Sequence, residues 1–185
     1  MFKNFTEFYS QIEKADYKND YYQIDHRYNL GNIETLQYIC DLAKEHLFDF
    51  RLTGAWAFVL ETNKIYRTIN DVDIIIPKKD FKLFLELIDK DFTYFYDEDP
   101  KSFFIKALAR KSKMFRFKDK KDLEKTIDVI LTDKPTDHLY KNKVIGNYNI
   151  KYRLPYKFLK REDEYFNYGR GIDSDDEKFY SQYIN

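Results

Sequence analysis

Two segments place carboxylates inside runs that are otherwise strongly apolar, DVDIIIP at 71–77 and TIDVIL at 126–131. Both read as strands, rich in Ile and Val, and Pro77 closes the first. Side chains alternate across a strand, so Asp71 and Asp73 share one face. Close like charges repel, and each loses solvation if partly buried; an unpaired buried charge costs on the order of several kcal/mol. The pair therefore calls for a compensating cation. Arg67 or a lysine can supply it through a salt-bridge network. A divalent ion can also supply it, and hard oxygen ligands suit Mg²⁺ or Mn²⁺.

A D-x-D alone is common at strand ends. Three further features give this one weight. Asp128 is a lone carboxylate among apolar residues, and completes a triad if its strand neighbours the first. Gly54 lies upstream, where the short strand FRLTG gives way to the apolar helix AWAFVLET. The exposed N–H groups of such a helix start form a ready phosphate site. Arg67, between turn and triad, is either a phosphate contact or a structural partner of the aspartates. Two carboxylate-bridged metals can activate an attacking hydroxyl and stabilise leaving pyrophosphate in an in-line displacement.

The remaining pattern supplies the scaffold. Residues 3–15 form a short amphipathic helix with Phe5, Phe8, Tyr9 and Ile12 on one side, and 16–30 read as a loop. Asn32 caps a helix over 33–47, with Leu36, Ile39, Cys40, Ala43 and Leu47 at helical spacing. Residues 63–70 are a polar connection and 79–90 a helix. FFIKALA and MFRFK are strand candidates within 101–118. KVIGNYNIKYRL is a hairpin turning at Gly146-Asn147. Pro155 opens a helix to about Tyr168, and Ser174 caps a last one. Helices alternating with strands early, and strands clustering later, predict a mixed β-sheet with flanking helices, α/β (α+β) in class. The 185 residues suit one compact domain or a domain with a small helical annex. We divide it into an N-terminal helix and loop (1–30), a central domain (31–153) and C-terminal helices packed on it (154–185).

Composition narrows the function. Basic and acidic residues balance at 32 each, which gives no global excess to attract nucleic acid. Cys40 is the only cysteine, so no intrachain disulfide forms, and its helical apolar setting reads as a buried inert thiol. No stretch reaches membrane-span length and the first residues carry charges throughout, so a cytoplasmic protein with no membrane association is expected.

LTGAWAFVLETNKIYRTINDVDIII, followed by a third Asp on a later strand, resembles the signature of the DNA polymerase β-like nucleotidyltransferase superfamily. The nearest resemblance is to its small bacterial members, the lincosamide- and aminoglycoside-type antibiotic nucleotidyltransferases and the nucleotidyltransferase toxins of abortive-infection systems. It spans roughly residues 33–165. The resemblance implies the nucleotidyltransferase fold and transfer of a nucleoside monophosphate from a nucleoside triphosphate to a hydroxyl acceptor. That acceptor would be a small molecule, a protein or an RNA. The resemblance makes Asp71, Asp73 and Asp128 ligands of Mg²⁺ or Mn²⁺, with Asp128 also the general base. Gly54 and Ala55 would contact the phosphates, and Lys157 or Lys160 on the late helix would hold the nucleotide. One departure stands out. Relatives carry Gly-Ser or Gly-Gly where this chain has Gly54-Ala55. Ala keeps the N–H but lacks the hydroxyl and the extra backbone freedom, which implies weaker phosphate binding or a catalytically silent binding module. A two-metal nuclease is disfavoured by the lack of a Glu-x-Lys near the aspartates.

Other residues have blander readings. Trp56 fits core packing better than base stacking. His26, His46 and His138 show no metal-ligand spacing. Lys106, Arg110, Lys111, Lys113, Arg116 and Lys118 form a basic segment, read as a solvated hairpin or as an acceptor groove in which Phe115 and Phe117 stack bases. Asp173, Asp175 and Asp176 do not match a calcium loop and read as helix capping.

Overall fold

The computed structural model describes residues 2–14, 24–95, 114–132, 140–154 and 182. The expected strand FFIKALA, the two C-terminal helices, Lys157, Lys160 and His138 lie outside these residues, as do Lys106, Arg110, Lys111 and Lys113.

The elements in order are α1 (Phe5–Ser10), β1 (Glu13–Lys14), α2 (His26–His46), β2 (Arg51–Leu52), α3 (Gly54–Thr62), β3 (Lys64–Ile65), β4 (Val72–Pro77), α4 (Lys78–Ile88), β5 (Phe92–Tyr94), β6 (Met114–Asp119), β7 (Thr126–Thr132), β8 (Lys141–Ile145) and β9 (Tyr148–Tyr152). Among the described residues, seven strands form one sheet in the order β5-β6-β7-β4-β2-β9-β8, and β1 pairs with β3 separately. β4 and β7 run parallel at its centre, while β6 lies antiparallel to β7 and β2 antiparallel to β4. The fold is thus a mixed sheet with flanking helices, α/β in class.

The 33–47 helix with an Asn32 cap is corrected. The helix begins at His26, and Asp25 caps it by accepting from the Arg27 and Tyr28 N–H groups. Asn32 is fully buried in mid-helix and donates to the Ile69 carbonyl at 2.7 Å. Asn29, one turn earlier and equally buried, accepts from the Ile69 N–H at 2.7 Å and donates to the Arg67 carbonyl. Two polar residues on the inner face look like a helix boundary in sequence. Here they clasp the backbone of the segment that leads into Asp71, satisfying groups that would otherwise be buried unpaired.

The loop expected over 16–30 is corrected with it, since its last turn belongs to α2. The 63–70 connection contains β3, whose Lys64 and Ile65 pair with Glu13 and Lys14. A short strand, β5, that the pattern did not predict pairs with β6. The 3–15 helix is shorter than expected, but Phe5 and Phe8 are fully buried in the main core. The hairpin forms as read, with Gly146 at φ 58° in its turn. A Cβ there would lie 2.4 Å from the Lys3 carbonyl oxygen, so the turn needs glycine. No described helix is long and apolar enough to cross a membrane.

Candidate active site

Register brings the acidic residues together. Asp73 on β4 is the parallel partner of Asp128 on β7, and Arg116 on β6 is the antiparallel partner of Asp128. Three neighbouring strands thus set Arg116, Asp128 and Asp73 in one row, with Asp71 two residues before Asp73 on the same face. One carboxylate oxygen from each aspartate lies within 4.8 Å of the others. Ile127, Val129, Phe115 and Phe117, one residue off this row, are buried. The Phe115 ring stacks on Phe81 of α4 at 5.1 Å, and Phe117 meets Phe84 edge-on. Base stacking by Phe115 and Phe117 is therefore corrected, because both rings belong to the core. Lys118 sits over the Phe95 ring at 4.0 Å.

Arg116, read in sequence only as part of a basic segment, pairs with the aspartates. Its Nε donates to Asp128 Oδ1 at 2.6 Å, and its Nη2 to Asp128 Oδ2 at 2.5 Å and Asp71 Oδ2 at 2.9 Å. The hydrogen bond to Asp128, foremost, and the charges of all three aspartates push its pKa up against the opposing effect of burial, so it stays charged. The signal was present in MFRFK, where alternation puts Arg116 opposite Phe115 and Phe117, on whichever face Asp128 occupies. Without the β6–β7 register that face could not be matched.

Asp73 is the aspartate most perturbed by its surroundings. Burial, then the charges of Asp71 and Asp128, raise its carboxyl well above the usual range, while Arg67 and Arg116 oppose the shift. Arg67 thus acts on Asp73 through its field. Its Nη1 donates to the Thr68 carbonyl at 3.1 Å, and its guanidinium lies over the Tyr66 ring.

Beside Asp73 stands the turn into α3. Thr53 N–H donates to the Asp73 carbonyl at 2.9 Å, tying the turn to β4. Gly54 follows with φ 65°, and a Cβ there would lie 1.9 Å from Asp73 Oδ2. No side chain caps α3. The helix therefore presents its first N–H groups, those of Gly54 and Ala55 among them, beside the triad. Trp56 is completely buried and packs the core. Cys40 is buried, and its thiol pKa is pushed up by burial and by Asp41, as an inert thiol requires. His26 shares a hydrogen bond with the Tyr9 hydroxyl and His46 lies beside Glu45, both away from the triad.

The donor set is three converging carboxylates, all hard oxygen, and the missing Cβ at Gly54 leaves room for that of Asp73. These residues fit a hard divalent cation.

No family model and no curated protein matches the chain. Among solved structures it is similar to the lincomycin-bound lincosamide antibiotic adenylyltransferase LnuA, with a TM-score of 0.54 at 13% identity over 80% of this chain and 93% of that one. A second similar structure, JHP933 from Helicobacter pylori, has a TM-score of 0.40 at 15% identity, over 70% of this chain and 53% of that one. The first likeness shows a nucleotidyltransferase-like fold.

Proposed function

We propose that this protein is a metal-dependent nucleotidyltransferase that moves a nucleoside monophosphate from a nucleoside triphosphate to a hydroxyl acceptor and releases pyrophosphate. The observation that carries this reading is the double position of Asp73, packed against the glycine turn of α3 on one side and converging with Asp71 and Asp128 on the other.

Asp71, Asp73 and Asp128 would hold Mg²⁺ or Mn²⁺, which when bound supplies positive charge to the reacting hydroxyl and to the leaving pyrophosphate. The uncapped N–H groups of Gly54 and Ala55 would bind phosphate oxygens, and Arg67 would add charge beside them. Lys157 or Lys160 would complete the nucleotide site. Asp128 would take the proton from the acceptor hydroxyl. That oxygen forms a bond to the α-phosphorus as the bond from the α-phosphorus to the β-bridging oxygen breaks, and pyrophosphate carries away the electron pair. The acceptor is a small molecule, a protein side chain or an RNA end. Likeness to a lincosamide antibiotic adenylyltransferase over nearly all of that chain's length favours a small molecule and adenylyl transfer.

Incubation with Mg²⁺ and each labelled nucleoside triphosphate, alone and with pooled hydroxyl acceptors including RNA, tests the reading. Pyrophosphate release that disappears in Asp71→Asn supports it. A well-folded protein that binds neither Mn²⁺ nor any nucleotide rejects it.

The second reading is a catalytically silent nucleotidyltransferase-like module. The observation favouring it is Arg116, whose guanidinium holds both oxygens of Asp128, together with Ala55 after the glycine.

A further inference from the structure

Arg116 Nη2 lies 2.9 Å from Asp71 Oδ2 and 2.5 Å from Asp128 Oδ2. A divalent ion held by Asp71, Asp73 and Asp128 would draw on these same carboxylates. The guanidinium nitrogen lies between those two oxygens and so competes with a divalent ion for them. Cation and guanidinium also repel each other. The Arg116 side chain is 31% exposed, whereas Asp128 is 1% exposed. The arginine thus has an open route to solvent, and the aspartate has none.

We propose that Arg116 is the counter-ion of the metal-free site, holding Asp71 and Asp128 converged until a divalent ion displaces it and thereby setting the metal concentration at which the site fills. This rests on the metal-dependent reading above. Without a cation between them, Asp71 and Asp128 would repel, and Asp128, 1% exposed on β7, has little water to screen it. A bidentate guanidinium holds both oxygens of Asp128 and one of Asp71 close together. It does so at a cost to metal affinity, because each binding event must break three charge-assisted hydrogen bonds. The same displacement frees Asp128 to accept a proton. Arg116 is in this sense a positioning residue that acts through Asp128 and Asp71.

The test is Mn²⁺ binding to the full chain, read by electron paramagnetic resonance of the free ion, with thermal melting in chelator and in Mn²⁺. Removing a unit positive charge and its three hydrogen bonds in Arg116→Gln is expected to tighten Mn²⁺ binding about tenfold or more. It should also lower the melting temperature in chelator and enlarge the rise that Mn²⁺ produces. Arg116→Lys keeps the charge without the bidentate grip, and should fall between the two. It keeps the test open if the Gln variant does not fold. Wild-type binding of Mn²⁺ with unchanged or weaker affinity in both variants overturns this proposal and leaves the metal site standing. Folded wild-type and variant proteins that all fail to bind Mn²⁺ overturn the metal-dependent reading itself, and this inference with it.

Discussion

Gly54 and Asp73 are in direct contact, so close that a methyl group on the glycine would overlap the carboxylate at 1.9 Å. The glycine also holds φ 65°, where a side chain is strained in any case. The turn that offers backbone N–H groups and the carboxylate that faces them are therefore one unit. Gly54→Ala is expected to destabilise the protein by about 1–3 kcal/mol through left-handed strain and to push Asp73 out of the triad. Thermal melting and Mn²⁺ binding read the two effects separately. A variant with wild-type stability and affinity would mean that the contact is dispensable.

Asp73 is kept at the expense of stability. Its folded-state pKa is raised by burial and by the neighbouring aspartates, so the folded protein holds this proton more tightly than the unfolded chain does. Stability from the protonated form is fully present below the unfolded carboxylate pKa and is lost as pH rises through the folded value. Asp73→Asn is therefore expected to melt higher than wild type at neutral pH in chelator, with the gain fading at acid pH. The same variant should lose Mn²⁺ binding and nucleotidyl transfer. Melting curves across pH check the first part, and a gain that grows toward low pH would reverse the assignment.

Asn29 and Asn32 hold the backbone at residues 67–69 from the buried face of α2. Replacing either by Leu leaves buried backbone groups without partners, at a cost of about 1–3 kcal/mol per site. Because Asp71 lies only two residues beyond Ile69, Mn²⁺ affinity should fall as well. Chemical denaturation and metal titration of the two variants test this. A loss of stability with unchanged affinity would confine the clasp to folding.

Glu61, near the far end of α3, accepts from the Tyr152 hydroxyl at 2.6 Å and pairs with Lys141. Burial raises its pKa, but those hydrogen bonds and the charges of Lys141 and Lys143 outweigh it, and the net shift is downward. A depressed carboxylate contributes stability above its unfolded pKa and loses it as pH falls through the folded value. The melting advantage of wild type over Glu61→Gln should be constant near neutrality, shrink as pH falls past the unfolded carboxylate pKa of about 4.3, and be gone below the lower folded value. An advantage that persists in acid would show that the contact is not ionic.

The sequence revealed most where a local pattern met a strong physical constraint. DVDIIIP and TIDVIL declare themselves as strands because their carboxylates stand against unbroken apolar runs. The Gly146-Asn147 hairpin is legible from its turn residue. The start of α2 was not, because Asn29 and Asn32 bond to backbone some forty residues away, and locally they resemble a boundary. β1 and β3 are two residues each and owe their pairing to tertiary contact. β5 is equally short of local signal. Arg116 was visible as a charge but not as a partner of the aspartates, since only the β6–β7 register places it opposite Asp128.

The central claim is that the three aspartates and the α3 turn together bind a metal-bound nucleoside triphosphate. Calorimetric titration of the protein with each non-hydrolysable nucleoside triphosphate, with Mn²⁺ and in chelator, measures this without needing the acceptor. The account predicts that at least one nucleotide binds with Mn²⁺, that its binding is lost or strongly weakened in chelator, and that Asp71→Asn abolishes the metal-dependent part. A folded wild-type protein that binds no nucleotide under either condition, or binds one equally well with Asp71 replaced, would contradict it.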